Sequence, residues 1–218
     1  MAERAVIFAN GAVDQPDVIA GRLEGWAGAL AVAADRGSRH ARARGLRLDA
    51  IVGDMDSIEA DERAWAEQAG TAFEISPAEK DETDLELALL YAVRHGARQI
   101  ACIGALGARL DMTVANLFLL THPALEGSRV EFWNGPQTAW LIRPPGGVVT
   151  GQLGDTLSLI PLTGPADGVT THALKYPLRG EPLFPGMARG VSNVLLLPEA
   201  RVELAGGVLL AVHTPGRA

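Results

Sequence analysis

Short apolar runs alternate with segments of helical spacing through the first 135 residues of the chain. The short runs predict strands, and the segments in which apolar residues recur every three or four positions predict helices. The predicted strands cover residues 4–9, 29–34, 49–52, 71–75, 99–104 and 130–133, and the predicted helices cover 17–26, 59–69, 83–95 and 109–120, with a basic helix after Asp35. Because strands that alternate with helices usually pair in parallel, we expect a doubly wound, mostly parallel α/β sheet covered on both faces.

The pattern changes after Asn134 and Gly135. Most of the 13 prolines lie beyond this point, where short runs rich in Val, Thr and Leu are separated by Gly and Pro turns. These runs cover residues 137–142, 147–150, 156–162, 168–174, 193–197, 201–204 and 207–213, and none has a helical stripe. Short strands with frequent turns are typical of antiparallel sheets. We therefore expect an α/β domain over residues 1–135 and an antiparallel β-sandwich or roll over residues 136–218.

Composition and charge exclude several classes of protein. Hydrophobic residues make up 48% of the 218 positions and charged residues 21%, which is enough for a sizeable core. The net charge is −7, which argues against a nucleic-acid partner, and no apolar run approaches the ~18 residues that cross a membrane. The densest basic group, interpreted as a solvated helix face, consists of Arg36, Arg39, Arg42, Arg44 and Arg47. The single cysteine, Cys102, cannot form an internal disulfide, which predicts a cytoplasmic protein.

Two carboxylates, Asp54 and Asp56, lie one residue apart on a turn between a predicted strand and a predicted helix. At about 4 Å two such charges repel by roughly 4 kcal/mol at an effective dielectric of 20, so the pair needs a cation or hydrogen bonds. A hard divalent metal with oxygen ligands would meet that need. The alternative is that Asp56 or Ser57 caps the following helix, with Glu59 completing a capping-box-like pair. This turn by itself leaves both interpretations open.

Further acids follow other predicted strands. They are Asp35, Asp81, Asp84 and Asp111. Because the carboxyl ends of parallel strands meet at one edge of a sheet, we expect these acids to gather with Asp54 and Asp56 in a metal–phosphate site. Arg109, Met112 and Asn116 share one predicted helix face that could serve the same edge, although a surface Arg and a packing Asn are equally common. Lys80 either neutralises a phosphate or is solvated.

Several motifs occur in a fixed order along nearly the whole chain. The most specific are GDMDS at residues 53–57 and KDETD at residues 80–84. The others are ADRG at 34–37, GALGARLD at 104–111, Asn116, PL at 161–162, GVT at 168–170, LKYPL at 174–178 and GVSN at 190–193. In these motifs the chain resembles the thiamine diphosphokinase (thiamine pyrophosphokinase) family.

The resemblance implies a function for each domain. The N-terminal domain would bind ATP with Mg²⁺, and the C-terminal domain would help to bind thiamine. The implied reaction converts ATP and thiamine into AMP and thiamine diphosphate, in a homodimer with its sites at the interface. The implied metal ligands are Asp54, Asp56 and Asp84. The remaining implied site residues are Asp81, Arg109 and Asp111 for catalysis, Asp35, Lys80, Thr83 and Asn116 for ATP, and Met112, Ser192 and Asn193 for thiamine.

The sequence also departs from the family pattern. Family members usually carry Gly where Arg36 stands, His where Met112 stands and Gly where Ala173 stands. The departure at Met112 puts the substrate in question. One alternative is a diphosphokinase that uses the same acidic site for another acceptor, such as a hydroxymethylpterin. The other is a protein that binds nucleotide or thiamine without turnover, against which the intact carboxylate set argues.

Overall fold

A computed structural model describes residues 3–216 of the chain, which forms two compact units, Met1–Gly135 and Pro136–Ala218. The first unit alternates strands and helices. Its strands are β1 (Arg4–Phe8), β2 (Leu30–Ala34), β3 (Ala50–Gly53), β4 (Ala72–Ile75), β5 (Gln99–Ile103) and β6 (Arg129–Asn134). Its α-helices are α1 (Pro16–Glu24), α2 (Ser38–Arg42), α3 (Ala60–Gln68), α4 (Asp84–Arg94) and α5 (Leu110–Leu119). Short 3-10 turns cover Asp35–Gly37 and Pro123–Leu125.

The six strands of this unit are all parallel, in the order β6-β5-β1-β2-β3-β4. One face of the sheet packs against α1, α2 and α3, where apolar side chains such as Phe8, Ile51 and Ile19 are buried. On the other face, α4 packs against β1, β2 and β3 through a stripe that includes Leu85 and Leu89. The prediction of a doubly wound parallel sheet is confirmed.

The order of the strands reverses between β1 and β5. The chain builds outward from β1 through β2 and β3 to β4, and α4 then returns it to β5 on the other side of β1. The carboxyl ends of β1 and β5 therefore diverge into loops that leave a crevice between them. In open α/β sheets, this switch point is where ligands bind.

The second unit consists of antiparallel strands. They are β7 (Gln137–Ile142), β8 (Gly146–Thr150), β9 (Thr156–Pro161), β10 (Ala166–His172), β11 (Arg179–Leu183), β12 (Asn193–Val194), β13 (Glu199–Glu203) and β14 (Leu209–Thr214). One set pairs in the order β12-β9-β14-β7 and the other in the order β11-β10-β13-β8. Inward side chains of both sets, such as Leu159 and Val202, form one core, so the predicted antiparallel β-fold is confirmed.

Two details of this unit differ from the prediction. Strand β11 was not predicted, because Gly180 and Pro182 are poor strand residues and only one of its five positions is buried. The run predicted over residues 193–197 forms a strand only at Asn193–Val194. Throughout the part of the chain that the structure describes, no helix is both long and apolar enough to span a membrane.

Candidate functional site

Three carboxylates converge at the carboxyl edge of the parallel sheet. Asp35 directly follows β2, Asp54 directly follows β3, and Asp84 is the first residue of α4. One oxygen of each lies within 4.8 Å of the other two. Asp35 is buried, with 6% of its surface exposed, whereas Asp54 and Asp84 are partly exposed. A cluster of oxygen ligands this close together, with one ligand buried, suits a hard divalent cation.

The backbone at Gly53 makes this convergence possible. Gly53 has a φ of +150°, and a Cβ at this position would lie 3.0 Å from Asp35 Cβ and 3.1 Å from Asp84 Oδ1. A side chain here would therefore push two of the three acids away. Met55, two residues later in the same turn, also has a positive φ of 64°, and Asp35 has a φ of 46°. Such conformations are costly for non-glycine residues and are frequent at functional sites.

Ser57 holds one oxygen of Asp35, and the other oxygen is unpaired. Ser57 Oγ donates a short hydrogen bond to Asp35 Oδ2 across the two turns. Within residues 3–216, Asp35 Oδ1 is buried and accepts no hydrogen bond. An unsatisfied buried carboxylate oxygen is costly, so this atom is suited to a cation. The alternative in which Asp56 or Ser57 caps the next helix is wrong, because the N-cap residue of α3 is Glu59 and makes no side-chain cap bond.

Lys80 places a positive charge between two of the acids. Its Nζ lies 3.0 Å from Asp84 Oδ1 and 3.7 Å from Asp54 Oδ2. Burial alone would lower the pKa of Lys80, but hydrogen bonding and attraction to Asp84 and Asp54 outweigh it and raise this pKa. The pKa of Asp84 is raised by burial, an effect that Lys80 only partly offsets. The pKa of Asp54 is lowered, mainly because it accepts a hydrogen bond from the backbone N–H of Asp56.

Asp56 lies at the margin of the cluster. Its backbone N–H is 3.2 Å from Asp54 Oδ1, and its side chain is exposed. Hydrogen bonding to Asp54 and repulsion from it raise the pKa of Asp56. The metal set predicted from sequence was Asp54, Asp56 and Asp84, whereas the close group in the structure contains Asp35 in place of Asp56. The sequence signal for Asp35 was its position directly after a buried strand.

A cavity of about 420 Å³ opens beside the acids at the switch point between β1 and β5. Its lining comes from the turn after β1, the end of β2 with Asp35, the loop after β5, the start of α4 and the first two turns of α5. The predicted site residues among this lining are Asp35, Thr83, Asp84, Arg109, Met112 and Asn116. The predicted face of α5 that carries Arg109, Met112 and Asn116 therefore does border the same cavity as the acids.

Two glycines let the loops that line the cavity approach each other. The Gly11 N–H donates to Gly104 O at 2.9 Å. A Cβ on Gly11 would lie 2.3 Å from Gly104 O, and a Cβ on Gly104 would lie 2.5 Å from Ala9 O. Only glycine fits at either position, so the crevice owes its shape to this pair.

Arg109 and Asp111 form an exposed ion pair at the start of α5. Arg109 Nε and Nη2 lie 3.1 and 2.5 Å from the two carboxylate oxygens of Asp111. The hydrogen bonds from Arg109 lower the pKa of Asp111 and, conversely, raise that of Arg109. Asp111 is therefore a weak base while the pair is intact. Asp81 lies exposed in the loop before α4 and does not line the cavity.

Two other lining residues are engaged in local structure. Thr83 is the N-cap of α4, and its Oγ1 accepts a hydrogen bond from the Glu86 N–H at 3.2 Å. Asn116 is buried, and its Nδ2 donates to Ala105 O at 2.7 Å, which fixes the loop after β5. The side chain of Asn116 therefore supports the cavity wall.

Ser192 and Asn193, predicted to contact thiamine, lie in the second unit. Ser192 is exposed on a turn with a φ of 56°. Asn193 is only 3% exposed, and its amide bonds the backbone of Tyr176 in both directions, donating at 2.7 Å and accepting at 2.9 Å. Asn193 Oδ1 also accepts a second hydrogen bond, from the Val194 N–H at 2.9 Å. Asn193 thus holds the backbone together, and Ser192 is the residue of the pair that faces solvent.

Comparison with known proteins gives one consistent family. Residues 24–132 match the family model for the catalytic domain of thiamin pyrophosphokinase. Residues 147–209 match the family model for the vitamin B1 binding domain of thiamin pyrophosphokinase. The thiamine pyrophosphokinase of Bacillus subtilis (strain 168) is 29% identical over 164 residues, which span 74% of this chain and 76% of that protein.

Solved structures show the same fold. The crystal structure of thiamine pyrophosphokinase from Bacillus subtilis has a TM-score of 0.85 at 23% identity and covers 97% of this chain and 99% of its own. The crystal structure of a thiamin pyrophosphokinase family protein from Enterococcus faecalis has a TM-score of 0.82 at 25% identity. The match covers 98% of this chain and 100% of that protein's chain. The two family models, together with the motifs at the acidic edge, confirm the predicted resemblance: the chain belongs to the thiamin pyrophosphokinase family.

Proposed function

We propose that this protein transfers a diphosphate group from ATP to the hydroxyl of thiamine, giving AMP and thiamine diphosphate. The proposal is supported most strongly by the cluster of Asp35, Asp54 and Asp84 beside a cavity at the switch point of a parallel sheet. The first unit, residues 1–135, would bind ATP and carry out the chemistry. The second unit, residues 136–218, would contribute to thiamine binding and to association of subunits.

The acidic cluster would hold Mg²⁺. Its ligands are all oxygen, and the buried Asp35 Oδ1 has no hydrogen-bond donor among the described residues. Asp35, Asp54 and Asp84 would bind the ion directly, and Asp56 at the margin would complete the set by a small movement of its exposed side chain. When bound, Mg²⁺ supplies positive charge against the phosphate oxygens.

The reaction requires an in-line displacement at the β-phosphorus of ATP. The thiamine hydroxyl oxygen forms a bond to this phosphorus as the bond to the bridging oxygen breaks, and AMP departs with that oxygen. Lys80, already beside two of the acids, would pair with a phosphate oxygen. Arg109 would turn from Asp111 to the phosphates, because both side chains are exposed and an exposed ion pair contributes little stability. Positioning and fixed charge of this kind account for most of the rate in phosphoryl transfers.

A carboxylate must accept the proton of the thiamine hydroxyl. Asp81 and Asp111 are the candidates from the sequence. The pair with Arg109 weakens Asp111 as a base, and release of Arg109 to a phosphate would restore it. Thr83 and Asn116 would shape the nucleotide side of the cavity, and Met112 would lie on the thiamine side, where a flexible thioether can pack against an aromatic ring.

We also propose that the protein acts as a homodimer, with the exposed turn at Ser192 supplying thiamine contacts to the partner subunit. An exposed apolar stripe on α5 supports dimerisation. Leu110, Val114 and Phe118 recur every four residues on one face of the helix and are 78%, 47% and 48% exposed. Such a stripe is unusual on a surface that stays in water. The proposed compartment is the cytoplasm, which agrees with a lone, buried Cys102.

Turnover with a panel of acceptors tests the proposal. The protein is incubated with ATP and Mg²⁺ and either thiamine, a hydroxymethylpterin or no acceptor, and AMP and the diphosphorylated acceptor are measured. We expect both products only with thiamine and only without EDTA. Product with the pterin alone would assign a different acceptor. Binding of ATP or thiamine without any AMP would identify a protein that binds without turnover.

A further inference from the structure

The turn after β1 forms part of the cavity wall, and its carbonyl groups are held by α2. Asn10 and Gly11 both line the cavity. Arg39 Nη2 donates to Asn10 O at 2.9 Å, and His40 Nε2 lies 2.9 Å from Gly11 O. Two consecutive residues of α2 therefore bond two consecutive carbonyls of the turn, although neither side chain lines the cavity.

The amide groups near this turn are held from the opposite side. The Ala9 N–H donates to Ile103 O at 2.8 Å, and the Gly11 N–H donates to Gly104 O at 2.9 Å. The turn is thus fixed between the end of β5 with the loop that follows it, which accept from its N–H groups, and α2, which donates to its C=O groups. Loss of the hydrogen bonds to the N–H groups or to the C=O groups would leave backbone polar groups without partners. The turn would then be free to rotate so that these groups reach water.

Helix α2 is itself anchored next to the acidic cluster. It begins three residues after Asp35, and a Cβ on Gly37 would lie only 1.9 Å from Phe8 O, so the start of the helix packs directly on the end of β1. Ser38 Oγ is buried within hydrogen-bond distance of two acceptors, Asp35 O at 3.0 Å and the carboxylate of Glu62 in α3. The short segment from Asp35 to His40 therefore connects a carboxylate of the cluster to the turn at the cavity wall.

The protonation state of His40 suits this bond. Gly11 O can only accept, so His40 Nε2 carries the hydrogen. Burial, with help from the charges of Arg39 and Arg44, lowers the pKa of His40 below its usual range despite the bond to Gly11. The ring is therefore neutral at neutral pH, with a single N–H directed at the turn. A glutamine side chain places its amide N–H at a similar reach and is a close substitute.

We infer that His40 and Arg39 are positioning residues that hold the Asn10–Gly11 turn in the form that binds the nucleotide. The inference rests on the proposed function, in which this cavity takes ATP. Both residues act through the backbone of the turn and do not touch the reacting atoms. Their loss should therefore weaken ATP binding more than it slows the chemical step.

The test compares His40→Leu, which removes the donor, with His40→Gln, which keeps one. In the ligand-free proteins, hydrogen exchange of the Ala9 and Gly11 amides should be faster in His40→Leu and close to wild type in His40→Gln. The Kd for ATP with Mg²⁺, measured by calorimetry without acceptor, should rise about tenfold in His40→Leu, the equivalent of one lost hydrogen bond at ~1.4 kcal/mol. In turnover, KM for ATP should rise by a similar factor while kcat and KM for thiamine change much less.

Arg39→Met and Arg39→Lys repeat the comparison at an exposed residue, where folding is not at risk. Unchanged exchange at the turn in both His40→Leu and Arg39→Met would overturn the inference. So would a His40→Gln protein that binds ATP as weakly as His40→Leu, because the donor would then not be what matters. A wild-type protein that does not bind ATP would instead refute the proposed function, and the exchange measurement would still decide whether α2 holds the turn.

Discussion

Lys80 Nζ lies 3.0 Å from Asp84 Oδ1, so the ammonium of a loop residue neutralises the carboxylate that begins α4. Only 11% of the Lys80 side chain is exposed. The same ammonium is 3.7 Å from Asp54 Oδ2. One positive charge thus lies within the acidic cluster before any substrate arrives, and it lowers the cost of keeping Asp84 ionised in a half-buried place.

Replacement of Lys80 should shift the pH dependence of turnover. Burial raises the pKa of Asp84, and Lys80 opposes that rise. In Lys80→Met the opposition is lost, so the pKa of Asp84 rises further and more of the carboxylate is protonated at a given pH. Because Mg²⁺ binds the ionised form, the acid limb of kcat/KM at subsaturating Mg²⁺ should move to higher pH. Lys80→Arg keeps the charge and should leave the limb near its original position. An unmoved limb in Lys80→Met would show that Lys80 does not control this acid.

Neutralising two of the acids should have opposite effects on stability. Burial disfavours ionised Asp84, so above its folded-state pKa this carboxylate destabilises the protein, and Asp84→Asn should raise the free energy of unfolding in EDTA by up to about 1 kcal/mol. Asp54 has a lowered pKa because the Asp56 N–H stabilises its ionised form, so Asp54→Asn should lose that stabilisation and lower the free energy of unfolding.

Both substitutions should abolish Mg²⁺-dependent turnover. Thermal melting in EDTA and an AMP assay measure the two effects on the same samples. Near-wild-type turnover in either variant would refute the assignment of that residue as a metal ligand, and outright unfolding would show that the residue belongs to the core instead.

Gly53→Ala should damage the site more than the fold. Its Cβ would contact Asp35 and Asp84 at 3.0–3.1 Å, and a φ of +150° is strained for alanine, so we expect a loss of about 1–3 kcal/mol in stability and of nearly all metal-dependent turnover. Gly45→Ala is the matched control, since Gly45 also has a positive φ, 64°, but a Cβ there would meet nothing within 4 Å. The control should lose stability and keep its kcat. Equal kcat values for the two variants would mean that the spacing of the acids does not depend on Gly53.

Mixed dimers should report whether the site is shared between subunits. Asp54→Asn inactivates the acidic edge, and Ser192→Arg places a bulky charge on the exposed turn proposed to reach the partner. Asn193 is unsuitable for this purpose because its amide is bound to Tyr176, and its loss would disturb the second unit. After subunit exchange, each heterodimer should regain one intact site, about a quarter of wild-type activity in a statistical mixture under two-fold symmetry.

The comparison needs two controls. Each variant by itself should be inactive, and exchange should be demonstrated with tagged subunits. Mixtures that stay inactive although exchange is complete, or activity in a protein that remains monomeric, would contradict a site shared between subunits.

Local patterns along the chain determined much of this protein. Apolar runs that alternate with helical stripes predicted the parallel sheet, because hydrophobic period reflects which face of each element is buried. Strand direction in such a sheet is uniform, so residues that follow different strands, such as Asp35, Asp54 and Asp84, could be expected at one edge. The motifs at residues 53–57 and 80–84 then indicated the family, which the comparisons confirm.

Tertiary structure alone decided which of these residues meet and what each side chain is free to do. Asp35 joins the close cluster, whereas Asp56 stays at its margin. The positive φ values of Asp35 and Gly53 set the direction of the backbone after β2 and β3, and with it the positions of the acids that follow. The amide of Asn193 is bound to Tyr176, and Arg39 and His40 of a helix expected to be solvated hold a turn almost 30 residues away. Periodicity reports only burial along one element, whereas these relations depend on distances and hydrogen bonds between atoms that are far apart in the chain.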